Sequence, residues 1–160
     1  MIIRGATEND VAAVRKLWNA MIRDTTATFT TEQKTDAVLR SLLGERPGAF
    51  LIAQVDTALA GFVTWGPFRT GPGYARTAEH TIVVALPGQG IGAALMQAAF
   101  VGASAQGIHT LVAAISGENA RAISFHDRLG FANAGVLREV GHKQDRWLDL
   151  VLMTRRLDPD

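Results

Sequence analysis

Pro87-Gly88-Gln89-Gly90-Ile91-Gly92 joins an apolar, β-like run from Thr81 to Leu86 to a long alanine-rich helix beginning near Ala93. No other stretch constrains the fold as strongly. Glycines at alternate positions let backbone N–H groups approach an anion at the helix N-terminus, where the partial positive charge already favours phosphate. The segment reads as a diphosphate cradle in a strand-loop-helix unit. Three kinds of fold could own such a unit, and the rest of the chain has to choose between them.

Upstream, a strand-like Ile2-Ile3-Arg4 precedes a polar helix start, Thr7-Glu8-Asn9-Asp10, and then Val11, Val14, Leu17, Trp18, Met21 and Ile22 fall on one helical stripe. The Thr-rich stretch from Thr25 to Thr31 ends that helix. A shorter one uses Val38, Leu39, Leu42 and Leu43 and stops at Gly44 and Pro47. Phe50 to Val55 and Ala58 to Trp65 flank Asp56-Thr57 as a hairpin, Gly66 to Gly73 is a loop, and the fourth strand runs from Thr77 to Leu86.

Past the glycines, Ile91, Leu95, Ala98, Ala99 and Gly102 form a stripe of mostly small residues, which lets the third helix lie close against a sheet. A strand from Leu111 to Ile115, a helix from Asn119 to Leu129, and strands from Phe131 to Leu137 and Trp147 to Met153 complete the order β-α-α-β-β-β-α-β-α-β-β. Nothing divides the chain, so a single domain over residues 1–160 is expected.

Lys and Arg number 16 against 15 Asp and Glu, which is not the basic footprint of a nucleic-acid binder. The chain has no cysteine, which excludes disulfides, thiolate metal sites and a cysteinyl intermediate. Its scattered histidines include no H-x-x-x-H pair, so no metal is expected. There is neither a membrane span nor a signal-peptide pattern after Met1-Ile2-Ile3-Arg4, so the expected location is the cytosol. A hydrophobic share of 48% leaves room for a buried oligomer face.

Gly88-Gln89-Gly90-Ile91-Gly92-Ala93 also satisfies the dinucleotide fingerprint G-x-G-x-x-A. The next strand, however, lacks its terminal acid, Glu118 comes too late, and two helices and a hairpin precede the supposed first strand. No Lys-Ser/Thr follows the glycines, which removes the P-loop.

The remaining owner is carried by two motifs, Gly88-x-Gly90-x-Gly92 and Asn119-Ala120-x-Ala122-x-x-Phe125-His126-x-x-Leu129-Gly130-Phe131. With the element order, they make the whole chain resemble the GNAT superfamily of acyl-CoA-dependent N-acyltransferases. A closer likeness is to its phosphinothricin and methionine-sulfone N-acetyltransferases. That likeness rests on Ala78-Glu79-His80-Thr81, Val112-Ala113-Ala114-Ile115, His126-Asp127-Arg128-Leu129-Gly130-Phe131 and Arg146-Trp147-Leu148-Asp149-Leu150. The resemblance implies an α/β (α+β) fold, with a mixed, mostly antiparallel splayed sheet of about seven strands and about four helices. It also implies acetyl-CoA as cosubstrate, no metal, and a small amine or amino-acid acceptor. A homodimer is implied as well, with the turn Gly141-His142-Lys143-Gln144-Asp145 reaching toward the partner's site.

Acetyl transfer to an amine needs the amine neutral and, without cysteine, favours direct attack in a ternary complex. Neutralising a lysine-like amine at pH 7 costs roughly 4.6 kcal/mol and an α-amino group only about 1 kcal/mol. The resemblance makes Glu79 the base, acting through water, with His80 and Thr81 lining the acceptor pocket; a plain strand face is the alternative. The backbone of Ile82, Val83 and Val84 would pair with the pantetheine arm, and Gly88, Gln89, Gly90, Ile91, Gly92 and Ala93 would hold the diphosphate. Asn119 would contact that arm besides serving as an N-cap, and Arg128 would reach a phosphate.

His126 stands where many members have a tyrosine that protonates the departing thiolate. A histidine there either does this or packs against its neighbours. Arg69, with Thr70 and Gly71, would meet the acceptor's carboxylate. Trp65, Phe68 and Tyr74 either form an aromatic wall beside that pocket or, as the default for each, belong to the core, with Trp147 packed between the last strands.

One departure is Pro87, which replaces the family's Gln or Arg in a loop about two residues short. The loss of a side-chain donor predicts weaker cofactor affinity. A polyamine or protein N-terminus as acceptor, and a non-catalytic acyl-CoA sensor, stay as alternatives.

Overall fold

The computed structural model describes residues 1–157, so the last three residues of the expected 1–160 domain lie outside the described residues. Strands β1 (Ile2–Gly5), β2 (Phe50–Val55), β3 (Ala58–Pro67), β4 (Thr77–Val84), β5 (Thr110–Ser116), β6 (Ala132–Lys143) and β7 (Arg146–Arg156) form one sheet. Its order is β1-β2-β3-β4-β5-β7-β6, antiparallel throughout except between β4 and β5. Helices α1 (Val11–Asp24), α2 (Asp36–Glu45), α3 (Ile91–Ala105) and α4 (Ala120–Arg128) cover its faces. This is the seven-stranded, four-helix architecture that the resemblance implies.

Strand alternation divides the core into two clusters. On one face α1 and α2 bury Val11, Val14, Trp18, Ile22 and Leu39 against Phe50, Ile52, Phe62 and Val83, with the Trp18 and Phe62 ring centroids 4.9 Å apart. On the other, α3 sets Ile91, Leu95, Met96, Ala99 and Ala103 against Ala53, Val63, Trp65, Ala78 and Leu111. The small residues of α3 serve close approach: a Cβ on Gly102 would lie 3.0 Å from Trp65.

Trp65 is therefore core, only 2% exposed, with its indole N–H donating to Gln106 Oε1 at 3.0 Å. The expected aromatic wall reduces to Phe68 and Tyr74, whose rings meet edge-on at 6.3 Å. Trp147 also departs from expectation. It is 63% exposed, with its ring against His142 at 4.8 Å.

The last hairpin is longer than the sequence suggests. Register shifts between Asn133 and Gly135 and between Leu137 and Gly141 absorb extra residues. The turn itself is only Gln144-Asp145, both at positive φ. Lys143, expected in an exposed polar turn, is instead buried, and its Nζ donates to the carbonyls of Ile22 (2.7 Å) and Thr28 (2.8 Å). It satisfies the Ile22 carbonyl that the end of α1 leaves open and, through Thr28, ties down the segment after that helix.

Candidate active site

The site begins where β4 and β5 stop pairing. Their parallel ladder covers only Thr77↔Thr110, Ala78↔Leu111 and Glu79↔Val112. Beyond it β5 runs on beside β7 while β4 stays with β3 up to Val84. From His80 to Val84, the edge of β4 that faced β5 has no strand partner, which suits an added extended chain.

A cavity of about 610 Å³ occupies the wedge. Its walls are Ile82, Val84, Leu86 and Pro87, then Gly88, Gly90, Ile91, Gly92 and Ala93, and, from α4 and its ends, Asn119, Arg121, Ala122, Phe125, His126, Arg128 and Leu129. Of the expected cofactor residues, the side chain of Val83 turns into the α1 face and Gln89 is exposed. Gly88 and Gly90 have φ of 91° and 74°, a backbone region that favours glycine. Gly92 is needed for space, since a Cβ there would stand 3.2 Å from Phe125.

The first capping bond of α3 runs from Ala94 N to Gly90 O, so the N–H groups of Ile91, Gly92 and Ala93 have no helical acceptor. Unpaired N–H groups at one end and an open strand edge at the other fit a diphosphate carrying an extended thioester arm. Asn119 caps α4, its Oδ1 accepting from Ala122 N at 3.1 Å, and it also lines the cavity.

Arg121 was not anticipated. It supplies a second cation two helical turns from Arg128, whereas the loop from Pro87 to Gly90 supplies none. Arg128 donates to Ser124 Oγ at 2.7 Å and stands between this cavity and a more open concavity bounded by Gln97, Arg155 and Arg156.

Strand alternation separates a pair that the resemblance had grouped. Glu79 and Thr81 share the α1/α2 face with Val83, whereas His80, only 7% exposed, turns toward α4. His80 therefore does not line a common pocket with Glu79. Glu79 lies opposite Gly66 in the β3 register, and the half-buried guanidinium of Arg46 sits over Gly66 and donates to Thr64 Oγ1 at 3.2 Å.

Although Glu79 is exposed along one side, the protein around it raises its carboxyl pKa above the ordinary value, and Arg46 pulls the other way. Arg46 leaves no signal in the sequence, because only the fold brings the end of α2 to β4. Arg69, Thr70 and Gly71 lie exposed in the loop that returns to β4 at the Glu79 end, with the Arg69 guanidinium 5.3 Å from the Phe68 ring.

Both ring nitrogens of His126 are engaged. Nδ1 is 2.8 Å from the Ala122 carbonyl and Nε2 is 3.0 Å from His80 Nε2. Burial pushes the pKa of His126 below the usual histidine value. Burial, with the neighbouring His126 adding to it, takes that of His80 down to about 3. Among the described residues no cluster of His, Cys, Asp and Glu is placed to hold a metal ion, and no helix is long and apolar enough to cross a membrane.

A cleft that offers a strand edge to an extended arm and unpaired amides to a diphosphate is built for coenzyme A, and the class is an acyl-CoA-dependent transferase. The family described as the acetyltransferase (GNAT) domain matches residues 3–152. An L-methionine sulfoximine/L-methionine sulfone acetyltransferase of Pseudomonas aeruginosa is 36% identical over 98% of this chain and 95% of its own.

Among solved structures, a ribosomal-protein-alanine N-acetyltransferase from Brucella melitensis is 31% identical, with a TM-score of 0.94 over 98% of this chain and 100% of that one. A GNAT superfamily phosphinothricin acetyltransferase from Sinorhizobium meliloti, in complex with acetyl-CoA, is 25% identical, with a TM-score of 0.92 over 98% of this chain and 88% of that one. The chain belongs to the GNAT acetyltransferase family, as an acetyl-CoA-dependent N-acetyltransferase.

Proposed function

We propose that the acceptor is a small amino-acid-like amine of the methionine-sulfone, methionine-sulfoximine or phosphinothricin type, acetylated by direct attack in a ternary complex in the cytoplasm. The observation that carries this reading is Glu79. It is a carboxylate on the strand that borders the cofactor cleft, on the face away from the helix α4, with a raised pKa and a cationic neighbour. The full-length similarity to the Pseudomonas enzyme supports the acceptor class.

Glu79 takes the amine proton through water as the amine nitrogen bonds to the thioester carbon and the C–S bond breaks. Thr81 shares its face, and Arg69, with Thr70 and Gly71, reads the acceptor carboxylate from the loop at that end. The β4 edge from Ile82 to Val84 and Asn119 hold the arm, and Gly88 to Ala93, Arg121 and Arg128 hold the diphosphate end.

The same reading includes a homodimer. β6 is an edge strand exposing Val136, Leu137 and Val140, with Trp147 exposed on its neighbour β7. A row of unpaired backbone groups flanked by apolar side chains suits a second copy of the chain.

The Brucella neighbour makes a protein N-terminus the competing acceptor. Thiol release from acetyl-CoA over methionine sulfone, methionine sulfoximine, phosphinothricin, polyamines and N-terminal peptides decides between them. The expected result is the highest kcat/KM for the free amino-acid analogues. A higher value for peptides overturns the acceptor class, and binding of acetyl-CoA without turnover of any amine makes the protein a sensor.

A further inference from the structure

We propose that His80 is a positioning residue for His126: one N–H, carried by His80 Nε2 and accepted by His126 Nε2, ties β4 to α4 at the Glu79 end of the cleft and keeps His126 a neutral ring rather than a loaded acid. Its catalytic consequence rests on the acetyl-transfer reading above; the dyad itself does not.

The tautomers follow from the acceptors. A carbonyl oxygen can only accept, so His126 Nδ1, 2.8 Å from Ala122 O, carries a hydrogen. A neutral imidazole has one N–H, which leaves His126 Nε2 a bare lone pair. At 3.0 Å from it lies another nitrogen, His80 Nε2, and two facing lone pairs would repel. His80 therefore holds its hydrogen on Nε2. Its own Nδ1 is then bare, buried and without a hydrogen-bond partner, and the backbone of Val112 opposes the effect of burial on this ring without cancelling it.

The alternative, an imidazolium at His126, would put a charge among Phe125 and Phe131, whose ring centroids are 5.2 and 5.1 Å away. No carboxylate compensates. Glu79 is on the other face of β4, Asp127 is exposed on α4, Arg128 turns to Ser124, and β5 presents Val112. Burial lowers both pKa values in the same sense. The chemistry does not need a resting acid, since the amine that forms the N–C bond gives up one proton and the sulfur released by C–S cleavage takes one.

The test is nitrogen NMR of the full-length protein with labelled histidine. At about pH 7 one ring is expected as the Nδ1–H tautomer and its partner as Nε2–H, with a scalar coupling across the N–H···N bond. An imidazolium signature on either ring, or the absence of that coupling, overturns the proposal. His80→Phe keeps the bulk and removes the N–H. It is expected to lower kcat about tenfold or more with the acetyl-CoA KM within about twofold, because misplacement acts on the reacting geometry. In His80→Gln an amide N–H can reach the same acceptor, and the rate is expected to return to within about threefold of wild type.

Wild-type kcat in His80→Phe overturns the positioning role. A fall in wild-type kcat between about pH 6 and 8 that His126→Gln abolishes makes His126 a proton donor and also overturns it. A protein that shows the coupling but transfers no acetyl group refutes the transfer reading and leaves the dyad standing.

Discussion

Acidification provides a test of the buried histidine pair that needs no substrate. His80 has a folded-state pKa of about 3 against 6.5 unfolded, and burial is the main cause. A histidine whose folded pKa is depressed binds fewer protons folded than unfolded below pH 6.5. Stability is therefore full above that value and is lost as pH falls toward the folded pKa. pH 5 lies about 1.5 units below the unfolded pKa, so the unfolded ring is protonated while the folded one is still neutral, and His80 costs about 2 kcal/mol relative to neutral pH.

His126 shifts in the same direction and adds to the loss in the wild type. Urea unfolding at pH 7 and pH 5 of the wild type and His80→Phe reads the acid loss that depends on the His80 ring, its coupling to His126 included. The expected outcome is a wild-type loss larger than the variant's by about 2 kcal/mol. Equal losses in the two proteins would refute the neutral buried ring.

Gly92→Ala would place a Cβ 3.2 Å from Phe125 and 3.5 Å from Val84. It is expected to weaken acetyl-CoA binding about tenfold by calorimetry, because Phe125 must move into the cleft. Arg121→Ala should weaken acetyl-CoA binding by about 10-fold or more, with the salt dependence of binding reduced. Arg69→Ala should raise the acceptor KM about tenfold and leave acetyl-CoA affinity unchanged, since its loop lies outside the cofactor cavity. Trp147→Asp places a charge on the exposed apolar patch of the last hairpin and should give a monomer in sedimentation velocity.

The element order and the cradle were legible because periodicity and glycine spacing are local signals. The α1 stripe and the small-residue face of α3 pack as their sequences indicate. Alternation along β4 was equally legible and would have placed Glu79 and His80 on opposite faces; the resemblance grouped them because they are neighbours in a motif. The His80–His126 contact spans 46 residues with no periodic relation between the two positions.

Long-range packing also hid Arg46 and Lys143. Each is defined by the element packed against it: Gly66 beneath Arg46 and the end of α1 against Lys143. The irregular register of β6 around Arg138 to Val140 breaks the alternation that marks a strand, so the sequence signal ended early.

The central claim is that Glu79 deprotonates the amine of a free amino-acid-type acceptor beside bound acetyl-CoA. The most direct measurement is the pH dependence of kcat/KM for methionine sulfone in the wild type and Glu79→Gln. Burial raises the Glu79 carboxyl pKa from its ordinary value, which predicts a wild-type rate that rises with pH through that raised pKa. In the variant that limb should vanish, with kcat/KM lowered about 10²-fold or more and acetyl-CoA binding intact. A Glu79→Gln enzyme with the wild-type rate and the same pH profile would contradict the account.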